Sequence, residues 1–191
     1  MSDDRLTKGF NVEQTITFID SHFSAAVRDQ IVAQLAPDMR EKLPRVRAGN
    51  WYPIGDLVAL LTAMAHVAAS EPEAERTARA LGRHLSDAAT GTFMRLLLKV
   101  MTPPVFLKKM PDIWPRMFSF GSFEVDPTGF KDKRASMIMR GVDGFDHVAP
   151  VSAGWIEGVH AAMGCGGVDV RYTGLEAEPR GSAFRFEVKW S

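Results

Sequence analysis

The sequence predicts an α+β fold in which N-terminal helices pack on one face of a small antiparallel sheet, built from two β-hairpins joined by a helix. The first observation behind this prediction is the helical spacing of apolar residues through the N-terminal part of the chain. The second is a change to a period of two after Phe120. The third is the last strand, in which four apolar residues alternate with charged ones: Phe184, Phe186, Val188 and Trp190. This alternation indicates a sheet with one buried and one solvated face.

Apolar spacing and proline positions predict the first helices. Between Asn11 and Phe23 the apolar residues recur every three or four positions, which places them on one helical face. A second helix ends before Pro37, because a residue that precedes proline is pushed out of the helical region. Residues 38–47 predict a charged connection. Residues 51–53 (Trp-Tyr-Pro) are predicted to open the next helix, since proline suits a first helical turn.

A long helical pattern precedes residues 90–92, where it is interrupted. The run at 93–101 is apolar nearly all round and predicts a central helix surrounded by protein. Residues 105–118 predict another helix, which Pro111 and Pro115 kink or divide. Strands are then predicted at 120–125, 134–141 and 168–172, with a helix at 151–163.

The stretch Gly-Cys-Gly-Gly at 164–167 contains the only cysteine of the chain. A phosphate-binding loop runs from a strand into a helix, so that N–H groups at the helix start face the anion. This stretch instead follows a predicted helix and precedes a strand. It therefore predicts a helix end, with Gly164 in the left-handed conformation. A helix C-terminus raises the pKa of a thiol, so Cys165 is not predicted to be a nucleophile.

Length and composition predict one domain over residues 1–191, with a helical part at about 10–118 and a hairpin–helix–hairpin part at about 119–190. The formal net charge of zero argues against a nucleic-acid partner. A single cysteine excludes an intramolecular disulfide and a cysteine-based zinc site. No segment approaches the ~18 apolar residues of a membrane span. We therefore expect a cytoplasmic protein without membrane insertion.

Five motifs carry a resemblance to known proteins: Trp51-Tyr52-Pro53, Ala80-Leu81-Gly82-Arg83, Thr102-Pro103-Pro104, Ala153-Gly154-Trp155-x-x-Gly158 and Phe186-x-Val188-x-Trp190. Through them the chain resembles a myxobacterial paralogous family. Its C-terminal third resembles the superfamily of the 4-vinyl-reductase domain, the heme-NO-binding domain and the Bet3-type vesicle-tethering subunits. The resemblance implies a sensor-like domain that forms homodimers and holds a small molecule between helices and sheet.

The chain departs from the characterised relatives at their cofactor motifs. Heme-NO-binding domains carry Tyr-x-Ser-x-Arg for the heme propionates, and neither Tyr52 nor Tyr172 begins such a motif. The 4-vinyl-reductase domains hold zinc with several cysteines, whereas this chain has one. We therefore assign no cofactor, neither heme nor zinc, from the resemblance.

Histidines and acidic residues indicate no catalytic or metal site. No two histidines stand four residues apart on one predicted helix, and no nucleophile elbow occurs. Asp143, Asp146 and His147 could form an acid–base set, but they first indicate a polar turn that leaves a strand. If the chain bound heme, His84 would be the first candidate ligand and His160 the second.

Ten methionines suit either an irregular core or an adaptable apolar pocket. A pocket would lie between the central helix and the sheet, as small-molecule sites are mostly apolar and concave. Its predicted lining is Phe93, Leu97, Met101, Trp114, Met117, Met139 and Trp155.

Three functions follow from these patterns. The first is a non-enzymatic sensing or scaffold domain that binds a small apolar ligand or a protein partner. The second is a protein that binds heme or another tetrapyrrole, or an enzyme that acts on such a compound. The third is an interaction module with a solid core and no pocket, which would expose an apolar patch for its partner.

Overall fold

The computed structural model of the chain describes residues 4–91, 98–145, 147–173, 176–178 and 181–191. The helices are α1 (Gly9–His22), α2 (Ala25–Ala33), α3 (Pro37–Lys42), α4 (Ile54–His66), α5 (Glu71–Ala89), α6 (Pro103–Leu107), α7 (Met110–Met117) and α8 (Val148–Ala162). The strands are β1 (Leu6–Lys8), β2 (Trp51–Pro53), β3 (Ser122–Asp126), β4 (Arg134–Arg140), β5 (Asp169–Tyr172), β6 (Glu176–Glu178) and β7 (Gly181–Lys189). No helix in the described ranges is long and apolar enough to cross a membrane.

The larger sheet confirms the predicted α+β class. Its strands run antiparallel in the order β3-β4-β7-β5, and β6 pairs with the first residues of β7. Met137 of β4 lies opposite Phe186 of β7, and Met139 lies opposite Phe184. All four side chains are buried. The charged residues between Phe184 and Trp190 are exposed, so the alternation predicted for the last strand is confirmed.

A second, two-stranded sheet was not predicted. Residues 51–53 do not open a helix; they form β2, which pairs antiparallel with β1. Pro53 is extended and directly precedes α4, so the helix begins at Ile54. Aromatic residues favour strands, and a proline is tolerated at the end of an edge strand. The sequence of residues 51–53 is therefore compatible with a helix start and with a strand. Pairing with the distant β1 makes it a strand.

The connection predicted at 38–47 contains a short helix, which corrects the sequence interpretation. Pro37 occupies the first turn of α3, where no N–H partner is needed. Asp38 near the N-terminus and Lys42 at the C-terminus suit the helix dipole, and their charged atoms lie 3.6 Å apart. Met39 is buried and attaches the helix to the core.

The proline-containing region divides into two helices. Residues 105–118 form the end of α6 and all of α7, with a break at Lys108 and Lys109. Pro111 lies in the first turn of α7, and Pro115 lies inside it. The predicted central helix at 93–101 lies mostly outside the described residues. Of this segment the structure describes residues 98–101, and 98–100 are helical.

Helices α5 and α8 pack at very short distance because each has a glycine where it meets the other. A Cβ atom added at Gly154 would lie 2.0 Å from the carbonyl oxygen of Arg79, and one at Gly82 would lie 2.0 Å from that of Val151. Such distances are far below any van der Waals contact, so only glycine allows this approach. The close packing brings Trp155 and its neighbours on α8 against the helical layer.

Ion pairs join the same two helices. Glu157 of α8 accepts hydrogen bonds from Arg79 Nη1 and Arg83 Nη1 of α5, both at 2.6 Å. Arg79 also donates to the carbonyl oxygen of Val170 in β5 at 3.1 Å. The side chain of Glu157 is only 20% exposed, and these charge-assisted pairs hold it at the α5–α8 contact.

The glycine stretch after α8 is the helix end that the sequence predicts. Gly164 has φ of +82° and its N–H donates to the carbonyl of Ala161. The N–H of Cys165 donates to the carbonyl of His160. The pKa of the Cys165 thiol is raised, as predicted, but burial is the main cause rather than the helix end.

Candidate ligand-binding cavity

A cavity of about 170 Å³ lies where the helical layer meets the C-terminal part of the chain. Helices α1, α4 and α5 form one wall, and α7, β3 and α8 form the other. Each helix contributes residues three or four positions apart, the spacing of one helical face. The pairs Leu57–Leu61 on α4 and Leu81–Leu85 on α5 are examples. Ordinary amphipathic packing thus delivers an almost entirely apolar lining.

Two tryptophans form fixed parts of the wall. Trp114 Nε1 donates to the carbonyl oxygen of Phe120 at 2.7 Å, and the ring stacks on Phe118 with centroids 4.3 Å apart. Trp155 packs against Phe106 with ring centroids 5.7 Å apart. Aromatic contacts of this kind hold ring orientations in place. The cavity is therefore bounded by aromatic faces whose positions other side chains determine.

The lining contains few polar groups: Asn11, Thr15 and Ser152, besides the indole N–H of Trp155. Thr15 is fully buried and its hydroxyl donates to the carbonyl oxygen of Asn11 at 2.7 Å. No lining residue that the structure describes carries a charge.

The structure places the predicted pocket residues in several locations. Trp114, Met117 and Trp155 line the cavity. Met139 is fully buried in the sheet, and Met101 packs half-buried at the edge of the core. Phe93 and Leu97 lie outside the described residues.

Sequence reasoning missed the wall that α1, α4 and α5 provide, including Asn11, Leu61 and Leu85. It expected the pocket between helix and sheet, whereas much of the cavity lies between helices. The sequence of an apolar helical stripe is the same whether the stripe packs against a neighbouring element or borders a cavity. Leu61 and Leu85 therefore did not indicate a cavity. Asn11 did not indicate one either, because on the first predicted helix it lies beside the apolar stripe of Val12, Ile16, Ile19 and Phe23 and not on it.

His84 and His160 do not line the cavity. His84 packs beside Phe18 of α1, with ring centroids 5.6 Å apart. His160 is fully buried between Phe106 and Trp190, and its Nδ1 donates to the carbonyl oxygen of Ile156 at 2.8 Å. The Nε2 atoms of both histidines are enclosed and lack a hydrogen-bond partner. No three potential metal ligands come together in the part of the chain that the structure describes.

Burial lowers the pKa of His160 below its ordinary value of 6.5. Above that pH the ring is neutral in both the folded and the unfolded chain. As the pH falls below about 6.5, the His160 imidazole becomes protonated in the unfolded chain but stays neutral in the folded chain. The free energy of unfolding therefore falls by up to about 1.4 kcal/mol per pH unit. We expect His160→Phe to weaken this dependence between pH 7 and 5, measured by urea unfolding.

The control for this prediction is His66→Gln, because His66 is exposed and its Nδ1 lies 3.0 Å from Gln34 Oε1. This variant should keep the pH dependence of the unsubstituted protein. Equal pH slopes in the His160→Phe variant and the unsubstituted protein would contradict the prediction.

Asp143, Asp146 and His147 are the residues from which the sequence could form an acid–base set. The carboxylate of Asp143 accepts a hydrogen bond from the Ser182 hydroxyl, and Arg5 donates to its backbone carbonyl. His147 precedes the first turn of α8. Asp146 lies outside the described residues. The polar turn that the sequence indicated accounts for these contacts.

Comparison with solved structures gives the class of fold. The chain resembles the Fe(II) unliganded H-NOX protein from K. algicida, with a TM-score of 0.70, 13% identity and 96% of each chain covered. It also resembles a Cs H-NOX mutant carrying 4-cyano-L-phenylalanine, with a TM-score of 0.71, 13% identity and 96% of each chain covered. A mutant of T. tengcongensis H-NOX gives a TM-score of 0.70 and 12% identity, covering 96% of this chain and 97% of that one.

The expected resemblance to heme-NO-binding domains is thus confirmed at the level of the fold. No protein-family model matches the chain, and no curated protein matches it. Identities of this size speak for the fold alone, because one fold supports many functions.

The residues around the cavity do not fit a heme. Heme iron is held by histidine, cysteine, tyrosine or methionine, and none of the histidines, tyrosines or the cysteine of this chain lines the cavity. Among the described lining residues only Met110 and Met117, through their thioethers, belong to these ligand types. None of the described lining residues has a cationic side chain that could pair with the heme propionates. The volume of about 170 Å³ is also close to that of an engineered apolar cavity of roughly 150 Å³ that binds benzene. A porphyrin is far larger than benzene.

Proposed function

We propose that this chain is a sensor domain with the H-NOX fold that holds a small apolar molecule, about one aromatic ring in size, in the cavity between α1, α4, α5, α7 and α8. The observation that carries the proposal is the lining: it is aromatic and aliphatic, borders a space of about 170 Å³, and has no charged side chain among the described residues. Sites for small molecules have this character, mostly apolar with a few placed polar groups.

Energetics favour a ligand at this place. Protein interiors are packed as densely as organic crystals, with few voids larger than a water molecule. Around a space of about 170 Å³ the apolar side chains of the lining lack part of the packing contacts that a filled interior would give them. A bound apolar molecule would supply these contacts.

The position of the cavity supports a sensing role. Its lining comes from five helices, so a ligand would contact α1, α4, α5, α7 and α8 at once. Binding would therefore change the relative stability of any arrangement in which these helices shift. The third function considered, a module with a solid core, does not agree with the cavity. The predicted homodimer, protein partner and cytoplasmic location stay predictions.

Heme binding is the second candidate, and the structural neighbours favour it. They include H-NOX proteins, one of them a structure that probes heme distortion in the H-NOX family, and a structure that concerns the modulation of heme redox potential. The buried, unpartnered Nε2 atoms of His84 and His160 also support it. Against it stand the lining residues, because neither histidine reaches the cavity.

Titration of the purified protein with hemin distinguishes the two candidates. We expect no stoichiometric shift of the Soret band, and we expect toluene to raise the melting temperature by several degrees at a hundredfold excess over its Kd, corresponding to about 2.7 kcal/mol. A saturable Soret shift at one heme per chain, abolished in His84→Ala or His160→Ala, would overturn the apolar-ligand proposal in favour of heme.

A further inference from the structure

We infer that the ligand of this cavity is a neutral molecule that carries one hydroxyl or N–H group, which donates a hydrogen bond to Asn11 Oδ1. This inference rests on the proposed function, since it concerns the same cavity. It adds the chemical class of the ligand: a small, mostly hydrocarbon molecule such as a phenol, rather than a pure hydrocarbon.

Asn11 combines deep burial with an unused acceptor. The side chain lines the cavity and the residue is only 6% exposed. Its Nδ2 donates to Thr7 Oγ1 at 3.0 Å, while Oδ1 has no hydrogen-bond partner among the described residues. Buried polar groups nearly always have a partner, because leaving one unpaired costs free energy.

The free oxygen keeps some accessible surface. The fully enclosed side-chain atoms without a partner, among the residues that the structure describes, are the Nε2 atoms of His84 and His160, and Asn11 Oδ1 is not one of them. The residue is almost completely shielded from bulk solvent and lines the cavity, so the cavity is the space into which we expect that surface to open. The inference is that a molecule in the cavity reaches the oxygen.

Thr7 holds one end of the Asn11 amide. Thr7 is fully buried, and its hydroxyl oxygen accepts from the Asn11 amide nitrogen. This hydrogen bond limits the movement of the side chain and leaves the amide oxygen free, and a polar group held in place beforehand is useful for recognition. Of the two hydroxyls in the described lining, that of Thr15 donates to the carbonyl oxygen of Asn11, and that of Ser152 belongs to a half-buried residue and is less shielded from water.

The lining also selects against charge. No described lining residue is cationic or anionic, so a charged ligand would lose its hydration without gaining a counter-ion. The group that donates to Asn11 is therefore neutral.

The test compares phenol with toluene, which have nearly the same shape, by calorimetry on the intact chain. Both should bind the unsubstituted protein. In Asn11→Leu the phenol hydroxyl loses its acceptor, so the affinity for phenol relative to toluene should fall at least about tenfold. Gln14→Leu is the matched control: it makes the same kind of change on α1 at a residue that does not line the cavity, and the affinity ratio should stay unchanged.

The outcomes separate this inference from the proposed function. Toluene binding without phenol binding, or an equal affinity ratio in the unsubstituted protein and in Asn11→Leu, overturns the role of Asn11 and leaves the apolar cavity site standing. Binding of neither compound overturns both. If Asn11→Leu fails to fold, the two affinities of the unsubstituted protein still decide, because a cavity without an acceptor would exclude phenol while it admits toluene.

Discussion

Replacing Gly154 with alanine should lower the free energy of unfolding by about 3–5 kcal/mol. The added Cβ would lie 2.0 Å from the carbonyl oxygen of Arg79 and 2.7 Å from its Cα. Both atoms belong to backbone, which cannot rotate away as a side chain can. Helices α5 and α8 would have to separate, and the paired charges of Arg79 and Glu157 would separate with them. Denaturation in urea measures the loss.

Gly55→Ala is the matched control for this change. Gly55 is also helical, on α4, but a Cβ there meets nothing within 4 Å. Since alanine favours a helix over glycine by about 1 kcal/mol, this variant should be as stable as the unsubstituted protein or more so. A Gly154→Ala protein within 1 kcal/mol of the unsubstituted chain would show that α5 and α8 are not packed as described.

Replacing Ser152 with phenylalanine should abolish ligand binding. Ser152 lines the cavity from α8, and a phenyl ring there would occupy space of about the size that a single-ring ligand needs. We expect the affinity for toluene to fall at least about a hundredfold, while the filled cavity raises stability by about 0.5–2 kcal/mol. Calorimetry and thermal unfolding on the same samples measure both effects.

Ser152→Ala separates the effect of volume from that of the hydroxyl. It removes the same hydroxyl without filling the cavity, so toluene should still bind with an affinity close to that of the unsubstituted protein. If Ser152→Phe binds toluene as tightly as Ser152→Ala does, the ligand does not occupy this cavity.

Much of the fold was predictable because it follows from local pattern. The alternation that ends at Trp190 predicted the last strand and its buried face, and the glycines at 164–167 predicted the joint after α8. In both cases the signal and the structure involve the same few residues. The β1–β2 pair was not predictable in this way, because Trp51 and Leu6 are far apart in the sequence and only their pairing makes either segment a strand.

The cavity was less predictable for a physical reason. The residues that line it lie at helix positions that would be buried in any case, so their type does not record whether a neighbour or a void faces them. The sequence predicts Trp114 and Trp155 at a pocket because it places that pocket between the central helix and the sheet, and both residues line the cavity. The structure shows that Asn11, unlike these apolar residues, buries an amide. Burial of an amide costs free energy, and this cost indicates that Asn11 has a role in binding.

The fold and the lining residues answer different questions. Similarity to H-NOX proteins at about 13% identity establishes the fold, whereas the ligand depends on the lining, whose described residues offer neither a histidine nor a cationic side chain. A fold fixes where a cavity lies, and the side chains around it decide what it holds. For this chain we therefore give more weight to the lining.

The most direct test of the central claim is a crystal structure of the protein soaked with 4-bromophenol, in which the anomalous signal of bromine locates the ligand. We predict a bromine peak inside the cavity, between Trp114 and Trp155, with the hydroxyl within hydrogen-bonding distance of Asn11 Oδ1. A peak only at the surface, or a cavity occupied by heme, would contradict the account.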